Sequence, residues 1–127
     1  MTIRTTKEQE IKHNFIAGEW RPSLEYMENI NPSDTNDVIA RYAIASSNDV
    51  QDAVSAAVTA VPVWSSSTSG ERFEILDAIG SEIIQRKDEL GDLLAREEGK
   101  TLKEAVAEAH RAGSLFKFFA AEVYRAL

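Results

Sequence analysis

The sequence Glu97-Glu-Gly-Lys-Thr-Leu-Lys-Glu-Ala-Val-Ala-Glu-Ala-His-Arg-Ala-Gly-Ser-Leu-Phe-Lys-Phe-Phe-Ala-Ala-Glu-Val-Tyr-Arg-Ala-Leu127 predicts one long helix that begins at Thr101. Thr101 and Glu104 form a T-x-x-E capping box, in which hydroxyl and carboxylate each bond a free backbone amide at a helix start. From there, apolar or small residues recur at alternating spacings of four and three, as in the buried stripe of a helix. The stripe consists of Leu102, Val106, Ala109, Gly113, Phe116, Ala120, Val123 and Leu127.

The composition of this stripe predicts a close neighbour. Ala109, Gly113 and Ala120 leave room for another helix, and Phe116 requires a pocket in it. No glycine, asparagine or proline ends the pattern before Leu127, so we expect the chain to be a piece of something longer. On its own, such a piece would expose much of the stripe, which invites association or partial disorder.

A shorter helix with a valine-rich stripe is predicted after residue 45. Ser46 and Asp49 again form a capping-box pair. Apolar residues follow at helical spacing: Val50, Ala53, Val54, Ala57, Val58 and Val61. We expect Pro62 to break this helix, because proline lacks an N–H, with Trp64 beyond it as an anchor. The serine-rich segment 65–70 is short enough to join two packed helices.

Two further helices are predicted between this loop and the long helix. Thr68 and Glu71 cap the first of them. Its inner face consists of Phe73, Leu76, Ile79 and Ile83. The second begins at Asp88, runs through three leucines and closes at Gly99. Its last carboxylates, on residues 97 and 98, lie unfavourably near the negative end of the helix dipole.

The first 45 residues predict strands. Residues 1–12 are polar and unpatterned, so we expect a flexible arm. In residues 14–20, apolar residues flank Gly18, which tolerates positive φ and so predicts a strand, a tight turn and a return strand. Extended segments at 28–33 and 38–44 surround turn-forming residues at 34–37. The predicted fold is therefore α/β and helix-rich, with a small antiparallel meander at 13–45 and about four helices at 46–127.

Composition and charge exclude several classes of function. The 127 residues fit one domain, and the net charge of −7 opposes nucleic-acid binding, which needs a basic face. Lys and Arg are spread along the chain, so no polybasic membrane patch is predicted, and no apolar run approaches the roughly 20 residues that span a bilayer. The N-terminus lacks the apolar region of a signal peptide, which makes a cytoplasmic location the default. The absence of cysteine excludes disulfides, thiolate metal sites and a cysteine nucleophile within these residues.

Short motifs follow one another in a recognisable order. They are Phe15-Ile-Ala-Gly-Glu-Trp20, Ile30-Asn-Pro-Ser33, Asp37-Val-Ile-Ala40, Asp49-Val-Gln-Asp-Ala-Val-Ser-Ala-Ala57, Trp64, Glu71-Arg72, Ile75-Leu76, Glu97-Glu-Gly-Lys-Thr-Leu-Lys-Glu104 and Phe118-Phe-Ala120. Together, at this spacing, they resemble the amino-terminal part of the aldehyde dehydrogenase superfamily over residues 14–125. The variants at 31–39, 111–112 and 116–119 are similar to the branch that oxidises 2-oxoglutarate semialdehyde.

The resemblance implies a dimeric or tetrameric enzyme that oxidises aldehydes to carboxylic acids with NAD or NADP. In that family a cysteine attacks the aldehyde, hydride passes to the nicotinamide, and a glutamate activates water. This chain has no cysteine, and no glycine-rich turn follows a strand and opens a helix. In the family those parts lie further along, against a Rossmann-like sheet. We therefore expect the amino-terminal portion of an NAD(P)-binding domain, which alone binds no cofactor and catalyses nothing.

One residue is a candidate for substrate binding. Arg111 lies on the long helix, off the buried stripe. The residues three, four and seven positions further on are Ser114, Leu115 and Phe118. The resemblance implies that this helix borders the aldehyde entrance tunnel, where an Arg would hold the distal carboxylate of an acidic semialdehyde by a bidentate pair. The alternative is a surface Arg paired with Glu108 or Glu104.

The other polar and aromatic residues have simpler explanations. His110 and His13 have no partner in the sequence and are expected to be solvated. Three carboxylates, on residues 97, 98 and 122, lack the neighbouring His of a metal ligand set. Three aromatics, on residues 116, 118 and 119, are expected to form core and tunnel wall rather than a platform for stacking bases. The sequence thus predicts no catalytic, cofactor-binding or metal-binding residue.

Two alternatives to an enzyme segment remain open. The chain would be a non-catalytic helical interaction module if the exposed stripe of residues 102–127 binds a partner protein. It would have no function if it is a truncated or degraded product. The small-molecule substrate that the resemblance implies is an aldehyde.

Overall fold

The computed structural model describes residues 10–125 of the chain, and these residues belong to two compact units with a boundary between Ala60 and Val61. The elements in chain order are β1 (Ile11–Lys12), β2 (Asn14–Ile16), β3 (Glu19–Arg21), β4 (Tyr26–Ile30), β5 (Val38–Ala43), α1 (Ser47–Ser65), α2 (Ser69–Gln85), α3 (Lys87–Glu98) and α4 (Leu102–Glu122). Small strands followed by four helices confirm the predicted α/β class.

The strands of the first unit form two sheets rather than one meander. β5 is the central strand of a three-stranded sheet, with β4 antiparallel to it and β1 parallel to it. β2 and β3 form a separate hairpin. The sequence prediction missed β1 because a two-residue strand carries no periodicity. Ile11 and Lys12 pair with Arg41 and Tyr42. These two residues therefore belong to the sheet and not to the predicted flexible arm. The rest of the predicted arm, residues 1–9, lies outside the described residues.

The hairpin turn confirms the prediction made from Gly18. Ala17 and Gly18 have φ angles of 54° and 85°, and the residues on either side of them pair directly. Two consecutive left-handed residues form the primed turn whose twist matches that of the strands. The turn places Phe15 opposite Trp20, with ring centroids 4.8 Å apart.

Helix α1 begins as predicted but ends later. The Ser46 hydroxyl accepts from the Asp49 amide at 3.2 Å, and the Asp49 carboxylate accepts from the Ser46 amide at 2.8 Å. Pro62 does not break the helix, which continues through Trp64 to Ser65. The φ of proline is compatible with a helix, and an interior proline can kink a helix without ending it. Its own carbonyl still accepts from the Ser66 amide at 3.3 Å.

The predicted inner face of α1 is exposed. No residue of the helix is buried, and the side chains of Val50 and Val58 are 56% and 65% exposed. We call Val50, Val54, Val58 and Val61 the valine stripe. Within residues 10–125 the stripe is left open to solvent, although its spacing is that of a packed helix face.

Helices α2, α3 and α4 belong to the second unit, and α4 crosses each of the other two at glycines. Gly80 of α2 lies so close to Gly113 of α4 that a Cβ on Gly80 would be 2.7 Å from the Gly113 carbonyl oxygen. A Cβ on Gly91 of α3 would lie 2.7 Å from the Cα of Val106. The prediction placed Ile79 on the inner face of α2, but the close crossing buries Gly80 and leaves Ile79 exposed.

The helix boundaries of this unit follow their capping residues. Thr68 and Glu71 form a complete capping box at the start of α2. α3 starts one residue before the predicted Asp88 and ends at Gly99, whose φ of 71° is left-handed. Thr101 caps α4 and accepts from the Glu104 amide at 3.4 Å, but the Glu104 carboxylate accepts from the Thr101 hydroxyl and not from its amide, so only half of the predicted capping box forms.

Helix α4 buries a narrower stripe than its spacing predicted. Its buried residues are Ala105, Ala109, Gly113 and Ala120. Leu102 and Phe116 are exposed, because the short distance to α2 and α3 leaves room only for small side chains. The helix does not continue to the end of the chain but ends at Glu122, where amides of the next residues bond carbonyls three positions back. Leu127, the last residue of the predicted stripe, lies outside the described residues.

Candidate functional site

The side of α4 away from its buried stripe carries the one predicted site residue. Arg111, Ser114, Leu115 and Phe118 are all exposed, and we call them the open face of α4. Phe118 is 54% exposed and makes an edge-on contact with Phe119, with ring centroids 5.3 Å apart. The Ser114 hydroxyl donates to the carbonyl of His110, one turn earlier, at 3.1 Å. The open face thus carries the cation of Arg111, followed along the helix by the apolar side chains of Leu115 and Phe118.

Neither of the carboxylates considered as partners of Arg111 pairs with it. Glu108 accepts from the ammonium of Lys100 at 2.8 Å, and Glu104 accepts from the Thr101 hydroxyl at 2.7 Å. Within residues 10–125, Arg111 makes no hydrogen bond or ion pair. Its five N–H donors are therefore available to an anion, and its role in substrate binding stays a prediction.

Lys100 resolves the charge conflict at the end of α3. Its ammonium contacts the Glu98 carboxylate at 2.6 Å and the Glu108 carboxylate at 2.8 Å. Hydrogen bonds to Glu108 and then to Glu98 raise the pKa of the lysine. The cation offsets the repulsion between Glu98 and the negative end of the helix dipole. It also joins the end of α3 to the first turns of α4, so we assign this cluster a structural role.

A second lysine, Lys117, joins α4 to α2. Its contacts were not predicted from the sequence. The ammonium of Lys117 donates to the Asp77 carboxylate at 2.7 Å and to the Ser81 hydroxyl at 2.8 Å. Asp77 and Ser81 lie one turn apart on α2. The partners are forty and thirty-six residues away in sequence, so no local pattern indicates the contact.

The histidines do not form a catalytic cluster. His110 is exposed on α4. The Tyr26 hydroxyl accepts from the Ser23 amide at 3.1 Å and is hydrogen-bonded to Nδ1 of His13 at 3.1 Å, so His13 has a partner that its local sequence did not indicate. Within the described part of the chain, no group of three or more His, Asp or Glu side chains could hold a metal ion.

The first unit contains an open depression of about 330 Å³. Its lining consists of Pro22, Ser23, Leu24, Glu25, Ile44, Ala45, Ser46 and Asp49. The Ser23 hydroxyl donates to the carbonyl of Ile44 at 2.6 Å, and Ser46 bonds Asp49 in the capping box of α1. The hydrogen bonds from the Ser46 hydroxyl and amide lower the pKa of Asp49. Because most of the polar groups in the lining already hold the loop and the helix start, we assign the depression no chemistry.

The described residues do not fit a dinucleotide. Such a site needs glycines in the turn between a strand and a helix, where the backbone approaches the pyrophosphate. The connection from β5 to α1 is Ile44-Ala45-Ser46 and contains no glycine. The glycines of the chain lie instead in the hairpin, in the first turn of α2, at the helix crossings and at the end of α3.

None of the helices in residues 10–125 is both long and apolar enough to cross a bilayer.

Comparisons with known proteins identify the family. The sequence profile of the aldehyde dehydrogenase family matches residues 20–127. An alpha-ketoglutarate semialdehyde dehydrogenase of Haloferax volcanii is 40% identical over 111 residues, which cover 86% of this chain and 23% of the relative. An alpha-ketoglutaric semialdehyde dehydrogenase of Bacillus subtilis is 35% identical over 120 residues, covering 93% of this chain and 25% of the relative.

A solved structure agrees with the sequence matches. Aldehyde dehydrogenase 21 of Physcomitrella patens, in complex with the reaction product succinate, superposes with a TM-score of 0.86 at 29% identity. The superposition covers 94% of this chain and 25% of that protein, so the chain spans about a quarter of the length of its relatives. Because the family profile covers most of its length and the fold agrees, this chain belongs to the aldehyde dehydrogenase family.

Proposed function

We propose that the chain is the amino-terminal portion of the NAD(P)-binding domain of an NAD(P)-dependent aldehyde dehydrogenase, where it provides scaffold and one wall of the substrate tunnel. The match of residues 20–127 to the family profile carries this proposal. The chain has no cysteine, and residues 10–125 do not fit a dinucleotide. The nucleophile and the site for NAD or NADP therefore belong to other parts of the enzyme, and residues 1–127 alone are inactive.

The mass and activity of the protein purified from its natural source test this proposal. We expect a polypeptide about four times as long as this chain, in line with its relatives. We expect it to reduce NAD⁺ or NADP⁺ when an aldehyde is added. A native protein of 14.1 kDa without dehydrogenase activity would contradict the proposal.

For the substrate we propose an acidic semialdehyde, whose distal carboxylate is held by Arg111. Two observations support this. The guanidinium is exposed and unpaired within residues 10–125, and the exposed apolar side chains of Leu115 and Phe118 follow it along α4. Two of the similar proteins are named for a semialdehyde that carries a carboxylate. A bidentate Arg–carboxylate pair would favour acidic aldehydes over neutral ones.

Kinetics of the intact enzyme with Arg111→Ala test this assignment. The KM for succinic semialdehyde is compared with the KM for butanal, which has the same carbon chain and no carboxylate. We expect the preference for the acidic aldehyde to fall roughly tenfold or more, as for the loss of a hydrogen bond to a charged group. Lys103→Ala removes the same charge from an exposed position of α4 and serves as control. An unchanged ratio in Arg111→Ala would refute the assignment.

A non-catalytic helical interaction module is the second candidate. The exposure of Phe118 and Phe119, whose rings touch each other, favours it, because exposed apolar surface marks interaction sites. A native protein of 127 residues that loses a protein partner on Phe118→Asp, and that lacks dehydrogenase activity, would favour the module over the enzyme.

Two further properties stay proposals from the family resemblance. We propose that the intact enzyme is a dimer or tetramer, which sedimentation velocity would establish. A cytoplasmic location stays a prediction from the sequence, and fractionation of the source cells would check it.

A further inference from the structure

We infer that Lys117 is a positioning residue, which fixes the rotation of α4 and thereby places Arg111 on the open face. The inference rests on the proposed function of Arg111. It concerns a contact on another side of the same helix, between the ammonium of Lys117 and two side chains of α2.

The buried stripe of α4 holds the helix close to α2, where the side chain of Ile84 packs over Gly113. Gly113 and Ala120 have little or no side chain to interlock with a neighbour. Their contact with α2 is close, since a Cβ on Gly113 would lie 2.7 Å from the Gly80 carbonyl oxygen. Ridges of larger side chains normally set the angle and register of packed helices, and small residues provide only a shallow version of them.

Lys117 supplies what the small residues lack. A Cβ on Gly80 would lie 2.7 Å from Cγ of Lys117, so the stem of the lysine crosses α2 at its glycine. From there the ammonium reaches Asp77 on one turn and Ser81 on the next, at 2.7 and 2.8 Å. One cation bonded to two successive turns of α2 constrains the rotation and the axial register of α4, in addition to the packing at the glycines. Within residues 10–125, this is the one ion pair that joins α2 to α4.

The geometry of the helix couples this contact to Arg111. Arg111 precedes Lys117 by six residues, which places the two side chains about 120° apart around the axis. A rotation of α4 of about 10° moves a guanidinium lying ~8 Å from the axis by more than 1 Å. A bidentate pair depends on direction as well as distance, and a misplacement of about 1 Å can cost up to ~100-fold in rate.

The ion pair itself adds little to stability. Lys117 and Asp77 are 40% and 36% exposed, and ion pairs between solvated groups contribute little. Loss of Lys117 should therefore affect the orientation of α4 more than the folding of the unit. This separates a positioning role from a purely structural one, because only the former changes the preference between substrates.

The test uses the intact enzyme and the KM ratio for succinic semialdehyde and butanal. Lys117→Met and Asp77→Asn should each lower the preference for the acidic aldehyde about three- to tenfold, while Lys117→Arg should keep most of it. Lys87→Met is the control, because it removes a lysine whose ion pair, with Asp88 at 3.0 Å, lies within α3. If the Lys117→Met protein does not fold, Asp77→Asn provides the same test, because asparagine is nearly the same size as aspartate.

The double variant Arg111→Ala/Lys117→Met distinguishes action through Arg111 from an independent effect. Supporting results are a lowered ratio in Lys117→Met and no further change when Arg111 is already absent. An equal change with and without Arg111 would overturn the inference. A change in Arg111→Ala with none in Lys117→Met and Asp77→Asn would overturn it while leaving the proposed function intact. No change in Arg111→Ala would refute both.

Discussion

Helices α1 and α4 carry the same kind of apolar spacing, yet only one of them is packed. The buried residues of α4 are alanines and a glycine that meet α2 and α3. The valine stripe of α1 has no buried member, and each of its four side chains is more than half exposed. Periodicity therefore identifies the residues that share a helix face, but the size of those residues decides what can cover it.

The difference between the two helices also concerns distance along the chain. The neighbours of α4 precede it directly, and their glycines allow a close approach. The β-branched valines of α1 need a partner whose surface accommodates them, and residues 10–125 do not provide it. On our proposal that partner belongs to the rest of the enzyme. The following predictions test this contrast.

The largest effect is expected at the crossing of α3 and α4. In Gly91→Ala the new methyl would lie 2.7 Å from Cα and 2.8 Å from N of Val106, and this backbone cannot move aside cheaply. We expect a loss of roughly 1–3 kcal/mol in the free energy of unfolding, as for overpacked cores. Denaturant unfolding of the intact protein measures it.

Gly70→Ala is the matched control for this substitution. Gly70 lies in the first turn of α2, where an added Cβ would meet only the Thr68 hydroxyl at 3.9 Å. We expect no loss, or a gain of up to about 1 kcal/mol, because alanine favours the helix. A similar loss in both variants would show that α4 is not packed as closely as the structure indicates.

Loss of a capping residue should affect the two helices differently. Thr101→Ala removes the acceptor of the Glu104 amide and should cost about 1 kcal/mol of global stability, since α4 holds the second unit together. Ser46→Ala removes the equivalent bond at α1. In the 127-residue chain we expect it to speed hydrogen exchange in the first turn of α1 with little change in global unfolding. Equal global losses would contradict the contrast.

Substitution within the valine stripe should be nearly silent in the 127-residue chain. Val58 is 65% exposed, so Val58→Thr should change the free energy of unfolding by less than about 0.5 kcal/mol. In the intact enzyme the same change should cost roughly 1–3 kcal/mol, because a hydroxyl would be buried without a partner. Chemical denaturation of both forms measures the difference, and equal small values would argue that nothing covers the stripe.

The smallest effect concerns the pH dependence of the capping boxes. Hydrogen bonds from the Thr68 amide and hydroxyl lower the pKa of Glu71 below its ordinary value of 4.5. Its stabilising contribution is therefore present above about pH 4.5 and is lost as the pH falls through the lower, folded-state pKa. Glu71→Gln should flatten the acid limb of global stability in this window, as unfolding titrations would show.

Asp49 provides the comparison in α1. Hydrogen bonds from Ser46 lower its pKa for the same reason. Because α1 lacks buried residues, Asp49→Asn should remove the acid-dependent rise in local exchange of α1 as the pH falls below about 4, with less effect on global unfolding than Glu71→Gln. The reverse order would show that α1 is the better packed of the two helices.

The sequence predicted the features that depend on neighbouring residues. The capping boxes at Ser46 and Thr68, the hydroxyl cap at Thr101, the left-handed Gly99 and the hairpin turn at Gly18 all lie where local chemistry places them. Each of these features depends on groups within a few residues of one another. Such groups are read directly from the sequence.

The features that were missed depend on distant contacts. Gly80 and Gly91 interrupt the apolar spacing of their helices, so a pattern search passes over the residues that set the crossings. The parallel pairing of β1 with β5 and the bond from Lys117 to Asp77 join residues about thirty and forty positions apart. For Arg111 the sequence indicated an exposed position, and its function depends on residues of the intact enzyme.

Solvent labelling of α1 and α4 in the protein from its natural source tests the central claim most directly. Carbene footprinting of Val50, Val58, Phe118 and Phe119 is compared with the same measurement on the 127-residue chain. If these residues form the amino-terminal segment of a larger dehydrogenase, labelling of the valine stripe should be much weaker in the native protein. Equal labelling in the two forms would show that no catalytic body covers the stripe and would contradict the account.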